Sequence, residues 1–308
     1  MTSTSHRHLK IAGIGEILRD LFPNASHLGG APANFAYHCD QLGATSYLVS
    51  SIGTDKLGLQ TSAELQRRGT NLRYVSELPG LATGRVNVTL DHQQKPTYDI
   101  QTDVAWDQIP FTAELKELAS QLDAACFGTL AQRSPTARES IRTFIRHMPA
   151  QSLKILDINL RAPFYSESLV EESLELANVL KLSDEELPTL AEFFSLSGST
   201  NHQLSTLLNR FDLKFIAFTR GAKGSILLDR DQSDECPVSP LKVVDSVGAG
   251  DSFTAAFCVG LLSDWPLSEI NMFANRVAAS VCSQHGPTPK LPTHLSEKTP
   301  FKPILTTS

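Results

Sequence analysis

Short runs rich in apolar and β-branched residues recur along the whole chain: KIAGIG (10–15), SYLVSSIG (46–53), DAACFG (123–128), LKILDIN (153–159), ANVLKLS (177–183), FIAFTRG (215–221) and GSILLD (224–229). Most are separated by helix-length segments such as PANFAYHCDQL, GLQTSAELQRRG and SPTARESIRTFIRHM. Near-continuous apolar runs are buried on both faces, and strands joined through helices run parallel. The pattern therefore predicts an α/β fold, a mainly parallel sheet flanked by helices on both faces. One segment departs from it. GRVNVTLDHQQKPTYDIQ (84–101) alternates apolar and polar residues on both sides of a turn, which reads as an antiparallel hairpin with one solvated face. On a parallel core such a hairpin is a lid, an oligomer contact, or both. No internal repeat or linker is visible, so residues 1–308 are expected to form one α/β domain with the lid hairpin inserted at about 84–104. The proline-rich tail from Gly286 is expected to drape over the surface.

Composition narrows the function. The 308 residues are 41% hydrophobic and 19% charged, with a net charge of -6, so there is no basic footprint for nucleic acid and no charged block for a membrane surface. The longest apolar run, 253–262, is far short of the roughly 20 residues a bilayer needs, and MTSTSHRHLK has no hydrophobic leader core. The expectation is a cytoplasmic protein acting on a small molecule, with a homodimer possible. The five cysteines are scattered and odd in number, which fits core thiols in a reducing compartment better than a disulfide framework.

In an open parallel sheet, ligands bind beyond the carboxyl ends of the strands. Those ends carry Glu16, Asp20, Thr129, Asp157, Asn159, Arg161, Ser183, Glu186 and Thr219, which predicts one polar cleft there. GGAPANFAYHCDQLGA (29–44) adds a helix with Pro32 near its start and Gly43 just past its end. Asn34 in its first turn is either a capping amide or, with Gly30 and Asp20, a binder of ligand hydroxyls. An amide and a carboxylate suit a neutral sugar better than a phosphate, because a carboxylate repels an anion.

DSVGAGDSF (245–253) leads into the apolar TAAFCVGLL. A helix beginning near Gly248 would present its free N–H groups and positive dipole end to an anion, with glycines allowing close approach. Asp251 then lies in the first turn beside that anion. Either it is only a helix-start acid, or it is the base that accepts the proton of an attacking hydroxyl in phosphoryl transfer. TRGAKGS (219–225) does not match the P-loop pattern, and GIGE (13–16) lacks the third glycine of a dinucleotide fingerprint.

Together, GGAPANFA and DSVGAGDSF resemble the two signatures of the ribokinase-like (PfkB) carbohydrate kinases, and the resemblance runs from about Ile11 to Pro292. Within that family GEILRDLFP, LGGAPANFAYH, FGTLAQRS and VLKLSDEEL are similar to fructokinase segments, and Ala31 stands where a ribokinase is expected to carry lysine. The resemblance implies a ribokinase-like fold with a small β-sheet lid. It implies Asp251 as catalytic base and Gly248, Ala249 and Gly250 as the anion hole. Asp20, Gly30 and Asn34 would hold the sugar. Thr219, Gly221, Gly224 and Asn275 would face ATP, with Asn159 and Arg161 on its phosphates. Glu186 and Asp157 would lie on the Mg2+ side, with K+ beside the Asp245 loop. The implied reaction is transfer of the γ-phosphoryl group of ATP to D-fructose. The alternatives are ribose, 2-keto-3-deoxygluconate or another sugar on the same fold, or a catalytically silent sensor. Three departures stand out: Ser246 for threonine, Ser183 for the asparagine of an N-x-x-E motif, and Arg85 where fructokinases often have threonine.

Overall fold

The computed structural model describes residues 8–22, 25–90, 96–238 and 241–296. The described residues form thirteen strands: β1 (Lys10–Ile14), β2 (Leu18–Phe22), β3 (Ala25–Gly29), β4 (Thr45–Gly53), β5 (Val75–Leu78), β6 (Gly84–Leu90), β7 (Pro96–Ile100), β8 (Ala124–Phe127), β9 (Leu153–Asp157), β10 (Val179–Ser183), β11 (Phe215–Thr219), β12 (Ser225–Leu228) and β13 (Ser233–Cys236). Among the same residues the α-helices are α1 (Ala31–Gln41), α2 (Lys56–Arg67), α3 (Ala113–Ala119), α4 (Pro135–His147), α5 (Glu167–Leu176), α6 (Leu187–Phe194), α7 (Thr200–Arg210), α8 (Ala249–Leu262), α9 (Leu267–Cys282) and α10 (Thr293–Ser296).

Nine strands form one sheet in the order β13-β12-β11-β10-β9-β8-β1-β4-β5. It is parallel from β5 to β11, and β12 pairs antiparallel with both β11 and β13. Side chains alternate between faces along each strand. Ile14, Phe127, Leu156, Leu182 and Phe218 pack under α3 to α7, whereas Ile11, Cys126, Ile155, Val179 and Ala217 pack under α1, α8 and α9. Apolar side chains are thus required on both faces, which is why the strands read as continuous apolar runs.

The second sheet has four strands in the order β3-β2-β6-β7. The expected hairpin is its β6 and β7, while its turn, 91–95, lies outside the described residues, as does the tail beyond 296. The other half, β2 and β3, comes from the segment that the sequence marks as a site loop. β2 pairs parallel with β6 and antiparallel with β3, so Leu18, Val86 and Val88 share one apolar face. Asp20 pairs with Val86 and Arg19 with Arg85. Asp20 and Arg85 therefore project from opposite faces, and Arg85 does not stand over Asp20.

The small sheet is tied down at the end of β7 by a buried cation. Arg133 donates from Nε to Asp107 Oδ1 at 2.8 Å and from Nη2 to Asp107 Oδ2 at 2.9 Å and to the Gln101 carbonyl at 2.5 Å. Its guanidinium lies 3.9 Å from the centroid of Trp106 and 4.7 Å from that of Phe164. Removing the cation strands the buried Asp107 carboxylate. Arg133→Met is expected to destabilise the protein by about 3–5 kcal/mol in denaturant unfolding, and a loss under about 1 kcal/mol would show that this anchor does little.

Candidate active site

Helices α1 and α8 meet with their N-terminal ends together. Gly248, the residue before α8, has φ 78°, and a Cβ there would stand 2.5 Å from the Pro287 carbonyl oxygen. Only glycine fits this left-handed, close approach. The same carbonyl accepts from His38 Nε2 at 2.9 Å. Burial holds that imidazole neutral by lowering its pKa to about 4, so α1 clamps the segment that shapes the start of α8. Gly30, at φ 113°, is required at the start of α1, because a Cβ would meet the Glu16 carbonyl at 2.4 Å.

One turn into each, the two helices join. Asn34 Nδ2 donates to Asp251 Oδ2 at 2.8 Å, across 217 positions of sequence. Asn34 makes no side-chain cap on its own helix, so its amide serves Asp251. Its Oδ1 is buried with no partner, as is Glu16 Oε2 beside the start of α1. Asp20 lies against the same glycines: a Cβ on Gly29 would be 2.9 Å from Asp20 Oδ2. Two buried acceptors without donors thus lie next to Asp251 and Asp20, and such atoms carry a cost until a donor meets them.

Beneath α8 lies a buried ion pair that apolar patterning does not reveal. Lys181 and Asp157 are register partners on β10 and β9, and Lys181 Nζ donates to Asp157 Oδ1 at 2.9 Å. Thr254 of α8 donates to Asp157 Oδ2 at 3.0 Å. The available signal was a lysine inside NVLKLS, a strand otherwise buried on both faces. Burial disfavours the ammonium, but the facing carboxylates of Asp157, Glu186 and Asp251 outweigh it and move its pKa up. The lysine is therefore charged at neutral pH.

The acids are shifted up as well, which for them disfavours the charged form. Burial, reinforced by the negative charge of Asp157, raises Asp251 to about 6, while the Asn34 amide, Lys181 and Arg161 pull it back. Burial raises Glu16 to about 7, and burial also raises Asp20. Near neutrality Asp251 is ionised yet basic, as a proton acceptor for a hydroxyl requires.

A cleft of about 400 Å³ opens at the carboxyl ends of β9 and β10, lined among others by Asn159, Arg161, Lys181, Ser183, Glu185 and Glu186. Of the residues expected to share one polar cleft, Asn159, Arg161, Ser183 and Glu186 line this one, whereas Glu16, Asp20, Thr129, Asp157 and Thr219 do not. Thr219 ends β11 beside Ser183, and Gly221 (φ 54°) follows with open space around its Cα. Gly224 has a structural reason of its own: a Cβ would come within 2.0 Å of the Cys236 carbonyl oxygen. Asn275, implied on the adenine side, is buried, with Nδ2 donating to Ser225 Oγ at 2.7 Å and to the Asn271 carbonyl at 2.9 Å. Thr129 is likewise turned inward, donating to the Ile158 carbonyl at 2.8 Å.

The acids placed on the metal side by resemblance do not come together. Asp157 has both oxygens engaged by Lys181 and Thr254. Glu186 accepts from Leu160 N, Ser183 N and Ser183 Oγ. Asp245 closes its own loop, accepting from Val247 N at 3.0 Å and from Gly286 N at 2.9 Å. Among the described residues no group of three His, Cys, Asp or Glu side chains could hold a metal ion. The donor set does not fit an all-protein cage. It fits Mg2+ carried by a nucleotide's phosphates and its own waters, with Glu186 and Glu185 lining the cleft.

Glu16 supplies a test that needs no substrate. Its folded pKa is raised, so the stability it contributes is complete below its ordinary 4.5 and is lost as pH rises through about 7. Glu16→Gln is expected to gain up to about 3 kcal/mol over the wild type at pH 8, with the gain vanishing near pH 4, in denaturant unfolding at both pH values. A difference independent of pH would contradict the raised pKa.

Over residues 23–294 the sequence matches the profile of the pfkB family carbohydrate kinases. An uncharacterized sugar kinase from Pyrococcus horikoshii is 29% identical over 296 residues, covering 90% of this chain and 91% of its own. Its crystal structure in complex with ATP aligns with a TM-score of 0.77 at 28% identity, covering 90% of this chain and 94% of that one. The fructokinase of Escherichia coli is 27% identical over 268 residues, 82% of this chain and 85% of that protein. The fructokinase of Xylella fastidiosa with bound ATP shares the fold, with a TM-score of 0.80 at 21% identity, covering 92% and 95% of the two chains. A profile match over most of the chain, on a ribokinase-like fold with its acid at the start of α8, shows that the chain belongs to the pfkB family of carbohydrate kinases.

Proposed function

We propose that the protein transfers the γ-phosphoryl group of ATP to the primary hydroxyl of a sugar, and that the sugar is D-fructose, giving fructose 6-phosphate. The observation that carries this reading is Asp251 itself. It stands in the first turn of α8, held by Asn34 at 2.8 Å, next to free helix-end N–H groups that attract an anion. In the reaction the sugar oxygen bonds to the γ-phosphorus, the bond from that phosphorus to the β,γ-bridging oxygen breaks, and ADP leaves with the electron pair. The hydroxyl proton passes to Asp251. The N–H groups of Gly248 and Gly250 face the charge that builds on the transferring group, while that of Ala249, named in the same anion hole by resemblance, donates to the Ser246 carbonyl at 3.3 Å and must let go of it to join them.

Asp20, Gly30 and Asn34 hold the sugar in this reading, supported by the unpartnered Asn34 Oδ1 and Glu16 Oε2. An uncharged sugar suits them better than a sugar acid, because Asp20, Glu16 and Asp251 all repel a carboxylate. Fructose is favoured by the E. coli fructokinase relative, and ATP by the Pyrococcus sugar kinase solved with it. Arg161, Asn159, Thr219 and Gly221 take the phosphate side. Mg2+ bound with the nucleotide would offset phosphate charge, its waters meeting Glu186 and Glu185, and K+ would sit beside the Asp245 loop. The four-stranded sheet acts as the lid, with Tyr98 exposed on the face it shares with Asp20. Five free thiols fit a reducing, cytoplasmic setting.

Asp251→Asn is expected to lower kcat at least ~10²-fold, the effect of a positioned base, with the KM for fructose changed far less. Wild-type kcat/KM should fall as pH drops through about 6, where Asp251 takes up a proton. A coupled ADP-release assay across fructose, ribose, glucose and 2-keto-3-deoxygluconate measures both. Turnover of another sugar alone would keep the reaction and replace fructose. Full activity in the asparagine variant would remove Asp251 from the chemistry.

A further inference from the structure

The Lys181 ammonium is more than the Asp157 pair requires. An ammonium carries three donors, and among the described residues its one side-chain hydrogen bond is to Asp157 Oδ1. Two N–H groups remain. Lys181 lines the cleft, only 8% exposed, and its Nζ lies 3.2 Å from where a Cβ on Gly250 would stand. The charge therefore sits directly against the glycine turn that receives the anion, on the cleft side. A buried ion pair is seldom more stable than apolar side chains of the same volume, so stability alone does not account for a lysine here.

We propose that Lys181 is a catalytic residue, its ammonium contacting the transferring phosphoryl group from beneath the Gly248–Gly250 turn while Asp157 aims it. This rests on the phosphoryl-transfer reading of the same site. As the γ-phosphorus passes from the bridging oxygen to the sugar oxygen, its peripheral oxygens carry the charge. A fixed cation on one side and helix N–H groups on the other stabilise it together. Gly250 is then glycine because a side chain would press on that cation. Asp157 has a defined part without touching substrate: one oxygen orients Lys181 and the other holds α8 through Thr254.

The competing account makes the pair a buttress for α8 and nothing else. The double variant Lys181→Met, Asp157→Asn removes both charges, leaves no carboxylate unpaired, and keeps an oxygen for Thr254. Its kcat is expected to stay at least ~10²-fold down with the sugar KM within about 3-fold, the size of losing one preorganised charge contact. Calorimetric titration with AMP-PNP and with ADP reads the contact without turnover: the wild type should prefer AMP-PNP, and the variant should lose at least about 10-fold of that preference. Lys181→Gln, whose amide still donates to Asp157, is the second variant if the first does not fold, with the same expectations. A kcat within about 3-fold of wild type, or an unchanged nucleotide preference, overturns the proposal. Were the wild type to phosphorylate no sugar, the reaction reading would fall, and the nucleotide comparison would still decide whether Lys181 touches the terminal phosphate.

Discussion

The ion pair between Lys181 and Asp157 is the constraint on which the rest of the site depends. It joins β10 to β9 at directly paired positions, and through Thr254 it fixes α8 against the sheet. That sets the level at which Gly250 and Asp251 emerge. Asp251 then meets Asn34, α1 is fixed in turn, and His38 of the same helix holds Pro287 against Gly248. Two helix N-termini, one buried cation and one basic acid thus converge without any of them standing on a long loop. Groups carried on packed elements hold their geometry more tightly than groups on loops.

Electrostatics follow from that packing. Asp251 is pushed up by burial and by Asp157, and pulled down by Asn34, Lys181 and Arg161, to about 6. The Asn34 amide and the two cations keep it lower, and so more readily ionised, than burial alone would leave it. Burial, the largest of these influences, makes it more basic than an ordinary aspartate. Glu16, buried and raised to about 7, adds a partly protonated carboxyl beside Asp251, which limits the negative charge gathered at the start of α1.

Much of this was legible in the sequence, and the exceptions share a cause. The order of strands and helices follows from apolar runs and helix-length spacers, and the starts of α1 and α8 follow from Pro32 and the Gly248 turn. The resemblance to PfkB kinases, carried by GGAPANFA and DSVGAGDSF, names the family that the profile match shows. Hidden were features made only by distant contacts. The partner of Asn34 is 217 residues away. The strand within EILRDLFP leaves no local trace because it pairs in parallel with residues 84–87, far along the chain. Lys181 sits inside an apolar run that patterning counts as plain core. Asn275 shows the converse: a polar residue singled out by resemblance has its amide nitrogen bonded to Ser225 and Asn271 within the fold.

The central claim is that Asp251 takes a proton and never the phosphoryl group, so that transfer occurs in one in-line step. ATP made chiral at the γ-phosphorus with oxygen isotopes tests it directly, through the configuration of the sugar phosphate formed. The account predicts inversion, the outcome of a single displacement. Retention would require two displacements through a phosphorylated enzyme, would make Asp251 a nucleophile, and would contradict the account.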